Sequence, residues 1–209
     1  MMRLYIFSMF VLGILVFLFL TVVPSFAPPS SCPVDMVKVG GICVDVYEAS
    51  VWSLPPTGSG PRGTQYGGVS DNYPCSDNGN DCSGANPIFA ASLPGVTPSG
   101  FITWFQAQQA CANVGKRLLT NAEWQMAAAG TPTAYEPGAD NGMTDCNTST
   151  AGAVVATGSR SNCVSNWGVF DMVGNLYEWV ADWIQDNSDG DGGSISTALY
   201  GSDGILGVD

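Results

Sequence analysis

GVFDMVGNLYEWVADW, residues 168–183, joins two bulky apolar segments, 169–173 and 176–183, through Gly174-Asn175. Asp171, Glu178 and Asp182 are set among its Val, Phe, Tyr and Trp. A carboxylate held among aromatic rings is costly unless it is protonated, hydrogen-bonded or matched by a positive charge. Which of these applies decides how the segment folds.

The rest of the chain narrows the choice. Of 209 residues, 18 are acidic and 6 basic, a formal net charge of -12, and there is no histidine. Nucleic acid would be repelled, and cations are the favoured guests. The missing histidine removes the commonest general base and the usual ligand of zinc and non-haem iron. Charged residues make up 11%, against roughly 25% in an ordinary globular protein, while Gly contributes 26 residues and Pro 13. That composition favours one loop-rich domain over a helical bundle.

Residues 5–23 form a nearly unbroken apolar run after Arg3, ending in the small-x-small pattern Ser25-Phe26-Ala27. This predicts export, with residues 1–27 as a signal peptide or, since the run is long enough to span a bilayer, a retained membrane anchor. Pro28 just after the cut weighs against cleavage. Residues 28–35 read as a linker, and 36–209 as the domain. All seven cysteines follow the export segment, and an exported chain resides where disulfides persist. Proximity along the chain suggests Cys32 with Cys43, Cys75 with Cys82 and Cys146 with Cys163, leaving Cys111 free. Spacing alone does not fix connectivity.

Residues 36–39 and 42–47 are β-rich runs joined by Gly40-Gly41, a two-residue hairpin signal. Ile42, Val44 and Val46 would face the core. Residues 53–100 then read as a long irregular excursion of Gly, Pro, Ser, Asn and Asp. Two helices follow. Thr103 with Gln106 and Thr120 with Glu123 form capping boxes, and Gly115 and Gly130 close the helices. Trp104, Ala107, Cys111 and Val114 should mark the buried side of the first. Lys116 and Arg117 connect the helices and read as ion-pair partners of nearby acids rather than substrate ligands.

Taken in order, GGICVDVYEAS (40–50), ITWFQAQQACANVGKRLLTNAEWQMAAAG (102–130) and GVFDMVGNLYEWVADW resemble three motifs of the formylglycine-generating enzyme family, the sulfatase-modifying-factor domain. The resemblance implies an α+β, C-type-lectin-like fold: two helices, small twisted antiparallel sheets and much irregular chain. It also implies a structural Ca²⁺ held by Asp171, the carbonyls of Gly174 and Leu176, and Glu178. The residue chemistry agrees, since calcium takes about six to eight oxygens from carboxylates and carbonyls and a Gly-Asn turn lets successive carbonyls face inward. The plainer alternative is that both acids accept backbone or arginine hydrogen bonds at a helix start. Asn147 lies where the family's second calcium site would fall, but its partner residues do not align.

Other signals are weaker. Asn187, Asp189 and Asp191 before Gly192 imitate half an EF-hand loop, yet Ala198 stands where glutamate would close it. DNGND at 77–81 reads as a turn. Trp104, Trp124, Trp179 and Trp183 suit either a ligand groove or a core.

Oxidase members of the resembled family convert a client sulfatase cysteine to formylglycine, using oxygen and a copper ion on two closely spaced cysteines. Those cysteines, an Arg-Gly-Gly-Ser strand and a final Gly-Phe-Arg motif would follow residue 183, and none does. The expectation is therefore an exported, calcium-braced and non-catalytic scaffold with a protein or glycan ligand. The alternative is a copper-dependent formylglycine-generating oxidase whose catalytic cysteine part lies outside these residues.

Overall fold

The computed structural model describes residues 31–57, 60–132, 140–148 and 151–182. The export segment, the acidic tail with Asn187 to Ala198, and Trp183 fall outside them. Within the described residues no helix is long and apolar enough to cross a membrane.

The first hairpin forms where Gly40-Gly41 places it. β1 (Met36–Val39) pairs antiparallel with β2 (Ile42–Asp45), Val39 opposite Ile42. Alternation along both strands puts Val37, Val39, Ile42 and Val44 on one face, against Ala127, Val169 and Met172. β2 ends at Asp45, before Val46 and Tyr47. The expected linker is fastened to this hairpin: Cys32 is bonded to Cys43, and Asp35 shares Lys116 with Asp45, at N–O distances of 2.5 and 2.6 Å.

The stretch read as irregular contains a second sheet. β3 (Ala49–Thr57) lies between β4 (Gly60–Tyr66) and β5 (Phe89–Ser92), all antiparallel. Its prolines and glycines hid it. β5 reaches only Ala49 to Trp52, so farther on β3 is itself an edge, where Pro55 and Pro56 cost no ladder bonds on the open side. Pairing with β4 shifts register twice, between Trp52 and Leu54 and between Leu54 and Thr57, which breaks any alternation visible in sequence. Val51, Ala90 and Ile88 of this layer pack with Cys75, Cys82 and Ala110 into a second core cluster.

α1 (Trp104–Ala112) and α2 (Asn121–Ala128) start at Thr103 and Thr120, each with both halves of its capping box formed. The buried side of α1 is turned from the expected one: Gln106 and Ala110 are innermost, with Cys111 and Val114 only partly covered. Gln106 can sit inside because its polar atoms are satisfied, Oε1 by the Thr103 amide and Nε2 by the Cys75 carbonyl. Asn113 caps the helix end and donates to the carbonyls of Cys82 and Ile88, 2.7 and 2.8 Å away. Cystines join Cys32–Cys43, Cys75–Cys82 and Cys146–Cys163, and Cys111 is free. The α+β architecture and the suggested pairing are both observed.

Candidate functional site

The opening segment divides into two unlike halves. Residues 169–172 belong to the hairpin core: Val169 and Met172 are buried, the Phe170 amide donates to the Val46 carbonyl at 2.8 Å, and its ring stacks on Tyr47 with centroids 5.3 Å apart. Residues 176–179 do not continue that burial. Tyr177 is 85% and Trp179 51% exposed, so of the two settings open to Trp179 the core is not the one it takes. The reason is polar: the Trp179 indole donates to the Ile102 carbonyl and the Trp104 indole to Val180, holding both rings across the surface.

Between the halves the chain coils through three left-handed residues, Asp171 (φ 60°), Gly174 (φ 77°) and Asn175 (φ 62°). Asp and Asn tolerate this region; other side chains with a Cβ pay for it. At Gly174 a Cβ would also collide with the Asn147 carbonyl oxygen. That same oxygen accepts the Asn175 amide at 2.8 Å, while Asn175 Oδ1 accepts from the Val155 amide and Asn147 Nδ2 at 2.9 and 3.1 Å. The turn is thus tied to residues 147–155 by backbone and side chain together.

Three acids gather around it. Asp171 is buried, and its Oδ2 accepts the Gly158 amide at 2.6 Å. Burial raises its pKa, with the Gly158 hydrogen bond and the Arg160 charge working the other way. Glu178 accepts the Trp124 indole N–H. Its surface is open to water within a cavity, but the protein around it desolvates the carboxyl, which is pushed up to about 7; the Trp124 bond opposes this and Asp171 adds repulsion. The third acid is Glu48, buried at the start of the second sheet. It accepts Asn175 Nδ2 on one oxygen and the Leu176 amide, 3.2 Å away, on the other. Desolvation, then repulsion from Glu178, pushes its carboxyl up to about 9; the Asn175 bond pulls it back, Asp171 adds to the rise, and the Leu176 bond opposes it.

Glu48 was not among the expected site residues. Its only signal in the sequence is an acid in a β-rich run, VDVYEAS, with no base near it. Asp171 adds repulsion to Glu178; Asp171 accepts a backbone N–H, as the plainer sequence reading required, whereas Glu178 accepts an indole N–H, and no helix starts here. Three basic residues are engaged with other acids: Lys116 holds Asp35 and Asp45, Arg117 holds Glu123, and Arg160 faces Asp171. The hydrogen bonds of Glu48 and Glu178 come from neutral groups, amides for the first and an indole for the second.

This donor set suits a hard dication in charge and in chemistry, being oxygen throughout. Among the described residues no three acidic or cysteine side chains are grouped closely enough to grip a metal by themselves. Two side chains would therefore need the backbone oxygens of a turn. The residues that fit are Asp171, Glu178 and the carbonyls of Gly174 and Leu176. Copper finds little here: six cysteines are in cystines, and the thiol of Cys111 is pushed up to about 11 by burial and by Asp45, Lys116 opposing. Asp81 in the 77–81 turn accepts the Ser76 amide and Asn86 Nδ2, as an ordinary turn residue does.

A cavity of about 980 Å³ adjoins the acids and runs between the two core clusters. Val44, Ala110, Val114 and Val169 give it apolar walls, and Glu48, Leu176 and Glu178 face it too.

Comparison with known proteins agrees with the motifs at 102–130 and 168–183, which lie within the matched residues. The family model described as "Sulfatase-modifying factor enzyme 1-like domain" matches residues 76–203. The chain is also similar to the serine/threonine-protein kinase pkn1 of Chlamydia pneumoniae, 37% identical over 84 residues, which are 39% of this chain and 13% of that protein. Similarity of the same extent is found to the kinases of that name from Chlamydia caviae, at 34%, and Chlamydia trachomatis, at 32%. The match therefore spans about an eighth of these relatives' length, 13% in each. No solved structure matches the chain.

Proposed function

This chain belongs to the family of sulfatase-modifying factor enzyme 1-like domains, and from that premise we propose that it is an exported, calcium-braced, non-catalytic binding domain. The observation that carries the reading is the gathering of Asp171, Glu178 and Glu48 around a left-handed turn, where neutral amides and an indole supply the hydrogen bonds of Glu48 and Glu178. A bound Ca²⁺ would supply the missing positive charge and fix the turn. Asp171, Glu178 and the carbonyls of Gly174 and Leu176 would hold it.

The ligand, a protein segment or a glycan, would enter the cavity beside this turn, where exposed Tyr177 and Trp179 offer flat rings. Three cystines suit an oxidising compartment, and export by residues 1–27, cleaved or retained as an anchor through 5–23, would deliver the chain there.

The test is metal analysis with a calcium titration of the melting temperature. Calcium should bind with unit stoichiometry and raise the midpoint, and chelator should reverse the rise. An unaltered midpoint sinks the brace. Copper retention with conversion of the cysteine in a Cys-x-Pro-x-Arg peptide would replace this reading with the oxidase.

A further inference from the structure

Glu48 has no part in the calcium set given above, yet it makes two contacts with the turn that would supply half of it. Its carboxylate accepts the Asn175 side-chain amide and the Leu176 backbone amide. These partners lie 127 and 128 residues away in sequence, so the contacts are formed only by the folded domain. The Leu176 amide belongs to the peptide between residues 175 and 176, and Asn175 stands between the two residues whose carbonyls are called on. Holding that N–H and the Asn175 side chain fixes the plane of the 175–176 peptide, from either end of which the Gly174 and Leu176 carbonyls project.

We infer that Glu48 is the positioning residue of the calcium turn: by gripping Asn175 and Leu176 it aims the carbonyls of Gly174 and Leu176 at the ion without itself binding it. This rests on the calcium reading of the preceding section. The arrangement gives Glu48 two separable effects. Toward the empty protein it is a buried acceptor of two neutral amide protons, a role that a side chain of the same size fills in part. Toward the ion it is an orienting group, of the kind whose removal costs about 10- to 100-fold in metal affinity. Glu48→Gln keeps the size and replaces one acceptor oxygen by an NH₂ that cannot receive the Leu176 or Asn175 proton.

The experiment compares wild type and Glu48→Gln in the full chain at neutral pH, reading calcium affinity by calorimetry and by tryptophan-sensitised terbium luminescence, and melting temperature in chelator. Positioning predicts that calcium affinity falls about 10- to 100-fold while the chelated variant melts near the wild-type temperature. A merely structural role would lower both together, and that result overturns the inference, as does an unchanged affinity. A loss beyond about a thousandfold makes Glu48 a ligand and overturns it equally. If Glu48→Gln does not fold, Asn175→Gly takes its place: it keeps the left-handed backbone and deletes the amide that Glu48 holds, and undiminished calcium affinity there defeats the inference. Calcium binding absent from the wild type overturns both readings; binding present but insensitive to Glu48 leaves the calcium site standing and removes only this one.

Discussion

The helix pair and the acidic turn are organised on opposite principles. Thr103 and Thr120 bond to Gln106 and Glu123, three residues on, so each helix start is fixed by neighbours in the chain. The turn at 171–178 is fixed from afar: Asp171 by Gly158, Asn175 by Asn147 and Val155, Glu178 by Trp124, and Leu176 by Glu48. The first region contains its own instructions, whereas the second is assembled by the rest of the fold. A region of the second kind is readily coupled to a ligand, since its shape depends on groups that can be bridged or repelled.

Two glycines with nearly the same backbone give the sharpest way to break this contrast. Gly174 and Gly115 have φ of 77° and 74°, but a Cβ at Gly174 meets the Asn147 carbonyl and one at Gly115 meets nothing. Gly174→Ala should lower stability by about 3 kcal/mol or more, while Gly115→Ala should lose about 1 kcal/mol. Urea unfolding midpoints measure both, and equal losses would show that the turn is no more dependent on distant chain than the helix connector is.

Next in size comes the cystine Cys146–Cys163, closing 17 residues that carry Asn147, Val155 and Gly158, all partners of the turn. Replacing both cysteines by alanine should cost about 3 kcal/mol by the loop-entropy argument. It should also weaken calcium binding, which titration of the variant checks.

The two regions should also answer pH in opposite senses. In chelator, Glu48 and Glu178 have folded-state values of about 9 and 7, above the ordinary 4.5, so the folded protein holds protons that the unfolded chain releases. Their contribution is complete below pH 4.5 and is lost as pH rises through 7 toward 9. Glu123 is held at about 2, chiefly by its hydrogen bond to Arg117, so its contribution is present above 4.5 and lost as pH falls toward 2. The Arg117 pair is largely solvent-exposed and should be worth about 0.5 kcal/mol or less. Melting curves in chelator should therefore fall toward alkaline pH, and calcium should flatten that fall. Thr120→Ala, deleting one half of the second capping box, should cost about 1 kcal/mol and leave calcium affinity unchanged.

What could be read from the sequence follows the same division. The Gly40-Gly41 hairpin, both capping boxes and the three cystines all depend on residues within 17 positions of one another, and each was legible. The β3–β4 pairing is just as local, but Pro55, Pro56 and two register shifts erased its alternation. Glu48 was invisible for the opposite reason: a glutamate after Tyr47 announces nothing until the fold brings Asn175 to it. The exposure of Tyr177 and Trp179 was concealed because apolar residue type does not reveal that an indole N–H will be held by a surface carbonyl.

The cystine between Cys32 and Cys43 also settles how mechanical load would enter the domain. Tension applied to the chain ahead of Cys32 passes through the sulfur bridge to the middle of β2, and the intervening loop, with β1 inside it, is left slack. The hairpin would not unzip from its first strand. The force would be delivered beside Val44, in the valine face packed on Ala127 and Met172, so that reducing this one bond would change the domain's point of mechanical failure.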